Sequence, residues 1–195
     1  MTSERRPSIK ATGFQSAADD LARLIETGRL SRDELEARLP VADFAYLAKS
    51  LAASSWVPIE TYERVAAILV ELEGNGDFPS YFRGRGRRAA ARLHKAGLYR
   101  QFDASVEAWG KRAGKVATTM SAVLYNFTRW TFAVKEDERA FQIIVEDALE
   151  FPDSLRFVGE GFIEYVSRHF SKERTVSLTS EREARGRIVY TIRVE

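Results

Sequence analysis

The chain has 195 residues, of which 45% are hydrophobic and 30% are charged, so it is long enough to bury a core and is expected to form one domain. Its formal net charge is only +2, which is too small to indicate nucleic-acid binding by itself. The absence of cysteine excludes disulfides, thiolate catalysis and cysteine metal sites. The amino-terminal segment lacks the apolar run of a secretory signal, and no stretch approaches the roughly 18 apolar residues that a membrane span needs. We therefore expect a cytoplasmic protein.

The amino-terminal half begins with a polar tail and a run of short helices. Residues 1–12 are polar and are expected to be disordered. Apolar residues recur at three- and four-residue spacing over residues 14–25, which predicts a helix ending at Gly28. Ser31 and Glu34 then have the spacing of a capping box, in which each residue caps the other's backbone.

Two longer helices are predicted in the middle of the chain. Pro58 suits the first turn of the earlier helix, and the glycine-rich stretch Gly74–Asp77 breaks the chain after it. The later helix is predicted to run from about Pro79 to Leu98.

The carboxy-terminal half is predicted to be a small antiparallel sheet with one helix on its face. Aromatic and β-branched residues predict a strand over Ser121–Val134, and alternation predicts further strands over residues 141–145, 175–179 and 187–194. The segment Ser154–Phe170 lies between them and has a helical apolar period. The predicted order is strand, strand, helix, strand, strand.

The helix in this order is expected to organise the carboxy-terminal half. Its predicted apolar face consists of Leu155, Val158, Phe162, Val166 and Phe170, and Ile163 and Tyr165 widen it. Gly159 and Gly161 are unfavourable inside a helix, so we interpret them as a sign of close backbone approach to a neighbouring element. The alternative is that the helix begins only near Gly161.

These patterns together predict an α+β fold. Residues 13–195 are expected to form a single domain, in which a helical half (residues 13–117) packs on a sheet half (residues 118–195).

A cluster of arginines is the most visible charged feature of the sequence. Arg85, Arg88 and Arg92 fall close to one face of the predicted helix, and they are a candidate site for phosphate or nucleic acid. The alternative is a solvated helix face that pairs with acidic residues elsewhere, such as Glu71, Glu73 and Asp77.

The sequence has no motif for catalysis or for a metal site. G-x-S-x-G, H-E-x-x-H and the P-loop are absent, and the carboxylates show no paired spacing for acid–base chemistry. The two histidines are His94, which is either an iron ligand or a surface residue, and His169, which suits a helix carboxy-terminus. We expect no catalytic residue, no metal and no enzyme activity.

Four aromatic residues are candidates for an apolar ligand pocket. They are Tyr125, Phe127, Trp130 and Phe162. Packing in the core is the alternative use for the same side chains.

The sequence resembles a bacterial paralogous family that is best represented in myxobacteria. The resemblance is carried by Trp56–Tyr62, the break Gly74–Asp77, the helix containing Gly84–Arg87, and the segment Gly159–Phe162. It covers most of residues 45–195. The chain is more distantly similar to the superfamily of haem-NO-binding (H-NOX) sensors, 4-vinyl-reductase-like ligand-binding domains and TRAPP vesicle-tethering subunits. That similarity implies helices over a small antiparallel sheet, often with an apolar ligand pocket.

The H-NOX branch of this superfamily implies specific residues. Its haem-ligating histidine lies on a helix ahead of the sheet, which corresponds to His94. Its propionate-binding motif Tyr-x-Ser-x-Arg corresponds to the stretch from Tyr125 to Arg129, where only the tyrosine and the arginine match. Because the motif is incomplete, we expect no haem and no other cofactor.

The predicted function is a non-catalytic sensory or interaction module that binds an apolar small molecule or a protein partner. A haem-dependent gas sensor is one alternative, and phosphate or nucleic-acid binding is another, although we expect no nucleic-acid partner. Surplus apolar surface on the helices of residues 14–51 and on both faces of the strand Ser121–Val134 also predicts a homodimer.

Overall fold

A computed structural model of the chain describes residues 6–47, 51–103, 109–134, 140–171, 175–184 and 186–194. In chain order the elements are β1 (Ser8–Lys10), α1 (Ala11–Glu26), α2 (Arg32–Arg38), a 3-10 helix (Val41–Tyr46), β2 (Trp56–Pro58), α3 (Ile59–Glu73), α4 (Phe78–Lys95), α5 (Arg100–Asp103), α6 (Trp109–Leu124), β3 (Arg129–Val134), β4 (Ala140–Glu146), α7 (Asp153–Ser171), β5 (Val176–Glu183) and β6 (Arg187–Val194). The predicted α+β class is confirmed.

The chain forms two compact units. The first contains Met1–Phe78 and Leu124–Phe127, and the second contains Pro79–Val123 and Thr128–Glu195. The predicted division at residue 117 into a helical half and a sheet half therefore differs from the observed grouping, because α4 and α6 belong to the same unit as the sheet.

The predicted disorder of residues 1–12 is wrong for the part of this segment that the structure describes. Strand β1 pairs antiparallel with β2, and Ile9 faces Val57 across the pair. The Ser8 amide donates to Asn126 Oδ1 over 2.8 Å, which fixes the strand from its other side. Ile9 is 2% exposed, so an apolar residue inside a polar stretch anchors the segment. Residues 1–5 lie outside the described residues.

The helices of the first unit follow their sequence patterns. Helix α1 buries Phe14, Leu21 and Leu24, as its apolar period predicts. The capping box at the start of α2 is confirmed, since Ser31 Oγ accepts from the Glu34 amide and Glu34 Oε2 accepts from the Ser31 amide.

The second unit contains the predicted four-stranded antiparallel sheet, in the order β3-β4-β6-β5. One face carries Phe132, Ile143 and Tyr190 in register across three strands. Helix α6 meets this face where a Cβ at Gly114 would lie 2.6 Å from the Phe132 ring, and helix α7 meets it where a Cβ at Gly159 would lie 2.6 Å from the Tyr190 hydroxyl. The predicted strand–strand–helix–strand–strand order is confirmed.

The predicted strand Ser121–Val134 is wrong in its first half. Residues 121–124 end helix α6, and the strand begins only at Arg129. Ala113, Ala117 and Ser121 recur at four-residue spacing and are all buried, so packing overrides the β-propensity of the local sequence. Because residues 121–124 are helical, they add no strand surface to the argument for a homodimer, which stays a prediction.

Helices α4 and α7 cross at very short range, as Gly161 led us to expect. A Cβ at Gly161 would lie 1.9 Å from the Arg83 carbonyl oxygen, and a Cβ at Gly86 would lie 2.0 Å from the Val158 carbonyl oxygen. The two backbones are therefore in direct contact, and each glycine admits the other helix.

The predicted place of Phe162 at the centre of the buried face of α7 is also wrong. Phe162 is half-buried, whereas the adjacent Ile163 is 2% exposed and lies on the buried stripe with Leu155, Val166 and Phe170. The side of α7 that faces the core is therefore centred nearer to Ile163 than to Phe162.

We expect Ile163→Ala to lower the free energy of unfolding by about 2–5 kcal/mol, because it leaves a cavity in the core. Phe162→Ala is expected to lower it by less, about 1–2 kcal/mol, since part of that side chain is already exposed to water. Urea titrations of both variants measure the difference. Equal effects would contradict the deeper burial of Ile163.

Candidate functional site

His94 lies in the last turn of α4 within a cluster of aromatic side chains. Its Nδ1 is 3.1 Å from the Tyr165 hydroxyl on α7. Its ring is stacked on Tyr99 at a centroid distance of 5.7 Å, and it lies 4.3 Å from the ring of His169. The surrounding rings fix the position of this imidazole.

Tyr99 is the buried aromatic residue on which the His94 ring stacks. It is 1% exposed, and its hydroxyl donates to the Ala90 carbonyl over 3.1 Å. Burial, followed by the nearby Tyr165, raises the pKa of this hydroxyl above its ordinary value, so Tyr99 stays protonated at neutral pH.

His169 is held by a carboxylate as well as by rings. Its Nε2 is 2.7 Å from Asp103 Oδ1 on α5. The sequence suggested only a helix carboxy-terminus for this residue. The two histidines of the chain are 75 positions apart in the sequence, and their rings meet in one cluster.

His94 fits the role of an iron ligand. Ligating histidines usually offer one ring nitrogen to the metal while the other makes a hydrogen bond that fixes the tautomer. Here Nδ1 faces Tyr165, and Nε2 has no hydrogen-bond partner among the described residues. The tautomer with the proton on Nδ1 leaves the Nε2 lone pair available.

Arg129 does not fit the role of a propionate partner. Its Nε and Nη2 both donate to Glu146 Oε2, over 2.9 and 2.5 Å, across the β3–β4 pair. The neighbouring Thr128 is also engaged, because its Oγ1 accepts from Trp130 Nε1 over 3.0 Å. The resemblance to the propionate motif therefore does not extend to the function of its arginine.

The four predicted pocket residues fall into both units. Tyr125 and Phe127 lie in the first unit, with ring centroids 6.3 Å apart. Trp130 lies in the second unit and stacks on Tyr190 at 5.8 Å. Phe162 lies half-buried on α7. A ligand pocket formed by these four residues stays a prediction.

The arginine cluster of α4 divides between several environments. Arg85 is 8% exposed and donates to the Tyr81 hydroxyl over 3.2 Å, whereas Arg88 and Arg92 are exposed. The structure therefore does not bring these three predicted anion-binding residues together on one solvent face.

Two arginines that the sequence analysis did not single out face α7 instead. Arg83 donates to Glu160 Oε2 over 2.5 Å, and Arg87 donates to Glu164 Oε2 over 2.8 Å. Each pair is one helical turn from the next, so the partners form a ladder between the two helices. The acidic partners lie on α7 rather than on the nearby segment of residues 71–77 that the sequence suggested.

Within the described ranges, no group of three or more His, Cys, Asp or Glu side chains is placed to hold a metal ion. The described helices also include none that is long and apolar enough to cross a membrane.

Comparison with solved structures places the fold among H-NOX domains. An H-NOX mutant from T. tengcongensis has a TM-score of 0.61 at 12% identity, and the match covers 95% of this chain and 97% of that one. An Fe(II) unliganded H-NOX mutant from K. algicida has a TM-score of 0.64 at 9% identity, covering 95% and 96%. An H-NOX protein from S. oneidensis in the Fe(II)NO state has a TM-score of 0.59 at 10% identity, covering 93% and 97%.

These similarities establish the fold. No protein-family model matches the chain. No curated protein matches it either. The resemblance to a myxobacterial paralogous family therefore has no support from these comparisons.

The expectation that the chain has no cofactor is corrected by the same neighbours. One of them was solved in a study of haem redox potential and porphyrin distortion, and another in a study of haem distortion in the H-NOX family. The incomplete Tyr125–Arg129 motif was not sufficient ground to exclude haem, because the fold of the chain is that of haem proteins.

Proposed function

We propose that the chain is a non-catalytic sensor module that binds haem, with His94 as the axial ligand. The observation that carries the proposal is the arrangement of His94, whose Nδ1 is held by Tyr165 while Nε2 remains available. The H-NOX fold supports it. When bound, a histidine-ligated haem iron supplies a coordination position for a diatomic gas.

The residues around His94 have separate roles in this proposal. In the tautomer with the proton on Nδ1, the Tyr165 hydroxyl accepts from Nδ1 over 3.1 Å and holds the ring while Nε2 can ligate. Tyr99 holds the plane of the imidazole by stacking at an interplanar angle of 12°. Asp103 is bonded to His169 Nε2 over 2.7 Å, which fixes the second imidazole beside the His94 ring.

The test is reconstitution of the purified protein with hemin, followed by absorption spectroscopy. We expect a Soret band for the wild type and for His169→Ala, and none for His94→Gly. Free imidazole is expected to restore the band in His94→Gly, because it can occupy the space that the side chain leaves. Tyr165→Phe is expected to bind haem about 10–100-fold more weakly, as for other losses of a hydrogen bond to a ligating histidine.

Two outcomes would refute the proposal. One is a wild type that acquires no Soret band with hemin, and the other is a His94→Gly variant that retains an unchanged band without imidazole. Circular dichroism of each variant shows that the fold is intact.

Two further expectations remain predictions. One is binding of a protein partner. The other is the homodimer, which is predicted from the apolar surface of the helices of residues 14–51.

A further inference from the structure

A groove between α4 and α7 lies next to the histidine cluster. Its volume is about 360 Å³, and it is lined by Arg87, Glu164, Tyr165, Arg168 and His169. Pockets of roughly 300–1,000 Å³ are typical of small-molecule sites. The groove is therefore large enough for a compact ligand.

The charges of the groove are unequal. Glu164 pairs with Arg87 and with Arg168, each over 2.8 Å. Two guanidinium groups thus share one carboxylate, which leaves one positive charge unmatched within the ladder. Asp103 also lies beside the groove, where it is bonded to the lining residue His169.

Both arginines can reach a ligand. The side chains of Arg87 and Arg168 are 46% and 61% exposed, whereas Glu164 between them is 18% exposed. The carboxylate therefore anchors the guanidinium groups from below while their outer N–H groups face solvent. Guanidinium groups with free N–H groups bind planar oxyanions in a bidentate manner.

The remaining walls are flat rings. Tyr165 and His169 both line the groove, and both are fixed from behind by His94, through a hydrogen bond to the first and ring contact with the second. A groove lined by two flat rings and two guanidinium groups favours a ligand that combines a planar body with a negative group.

We propose that this groove binds a small aromatic anion, with its oxyanion on Arg87 and Arg168 and its ring against Tyr165 and His169. This site shares Tyr165 and His169 with the surroundings of His94, but it does not use His94 Nε2 and needs no haem. It also differs from the predicted anion site, since Arg85 is buried and Arg88 and Arg92 do not line the groove.

The test uses phenyl phosphate and benzoate as probes and benzyl alcohol as the uncharged control. Because the chain has only two histidines, the imidazole signals in ¹H–¹⁵N spectra report directly on the groove. We expect both anions to shift the His169 signals saturably and benzyl alcohol to leave them unchanged. A larger response to phenyl phosphate identifies a phosphate ester as the preferred class, and a larger response to benzoate identifies a carboxylate.

Substitutions separate a binding role from a structural one. Arg87→Gln and Arg168→Gln are each expected to weaken binding about tenfold, which corresponds to loss of one charge-assisted hydrogen bond. Arg88→Gln is the matched control on the same helix and is expected to have no effect. Glu164→Gln is expected to tighten binding several-fold, because it removes the carboxylate that competes with the ligand.

The result of Glu164→Gln is decisive. If the ladder serves only to join the helices, Glu164→Gln does not tighten anion binding, and the proposal is wrong. Equal loss of binding in Arg88→Gln and Arg87→Gln would likewise overturn it, since it would show diffuse attraction to a basic surface. Failure of haem reconstitution has no bearing on these titrations, which need no haem.

Discussion

Gly161→Ala is expected to lower the free energy of unfolding by about 3 kcal/mol, near the upper end for overpacking a tight contact. The added Cβ would lie 1.9 Å from the Arg83 carbonyl oxygen and 2.7 Å from its carbon. These are backbone atoms of α4, so no rotamer change can remove the clash and the helices must separate. Separation would also weaken the bond between Arg83 and Glu160 at the same crossing.

Gly84→Ala is the matched control for this experiment. Gly84 lies on the same helix as Gly86, but an added Cβ would meet only the Arg88 guanidinium, at 3.4 Å. Because that side chain can move, the usual helical preference for alanine is expected to prevail and to stabilise the protein by about 0.5–1 kcal/mol. Gly86→Ala should resemble Gly161→Ala. If Gly84→Ala lowers the urea midpoint of unfolding as much as Gly86→Ala and Gly161→Ala do, then α4 and α7 do not cross here.

The position of this crossing illustrates what local sequence can predict. Gly159 and Gly161 interrupt a strong helical period, so their presence indicated close approach before any partner was known. The helix that approaches these glycines could not be predicted. Arg83 and Glu160 are 77 positions apart, and the sequence alone does not show which acidic residue pairs with which arginine. The candidate pairs near residues 71–77 were closer along the chain but lie on a different element.

The end of α6 shows where local sequence misleads. The segment Ser121–Val134 as a whole is rich in aromatic and β-branched side chains, which favour a strand, but residues 121–124 include only one of them, Val123. The distinguishing signal was the four-residue spacing of Ala113, Ala117 and Ser121, which begins before the segment that was interpreted as a strand. Small residues at this spacing allow the helix to lie close to Phe132.

The candidate site was predictable only in part. His94 was identified from its position ahead of the sheet, but its contacts come from Tyr165 and His169, which are far away in sequence. Arg87 and Arg168 were not singled out because exposed arginines on helices rarely have a specific role. Their shared partner, Glu164, becomes visible only when α4 and α7 are placed side by side.

Asp43→Asn is expected to lower the free energy of unfolding by about 2 kcal/mol at pH 7, as for loss of a charged hydrogen-bond partner. The Asp43 side chain is 4% exposed. It accepts from Arg64 Nε and Nη2 over 2.6 and 2.9 Å and from Thr61 Oγ1 over 2.7 Å. An amide has the shape of the carboxylate but leaves Arg64 without its counter-charge. The 3-10 helix is thereby held to α3 less firmly.

The effect of Asp43 on stability should depend on pH with a definite sign. The hydrogen bonds from Arg64, which outweigh the opposing effect of burial, lower the pKa of this carboxyl below its ordinary value. A carboxylate with a lowered pKa stabilises the fold fully above its unfolded pKa of about 3.9, and this stabilisation is lost as the pH falls through the folded pKa. The difference between wild type and Asp43→Asn is therefore expected to be constant from pH 7 to pH 5 and to shrink below pH 4.

Urea titrations of both proteins between pH 7 and pH 3 measure this difference. Asp19→Asn is the control in the same unit, since Asp19 is an exposed carboxylate on α1 whose bond from Gln15 an amide oxygen can also accept. It should leave the midpoint nearly unchanged at every pH. A constant gap for Asp43→Asn down to pH 3 would mean that shape rather than charge holds Arg64 and Thr61. A gap that widened on acidification would contradict the lowered pKa itself.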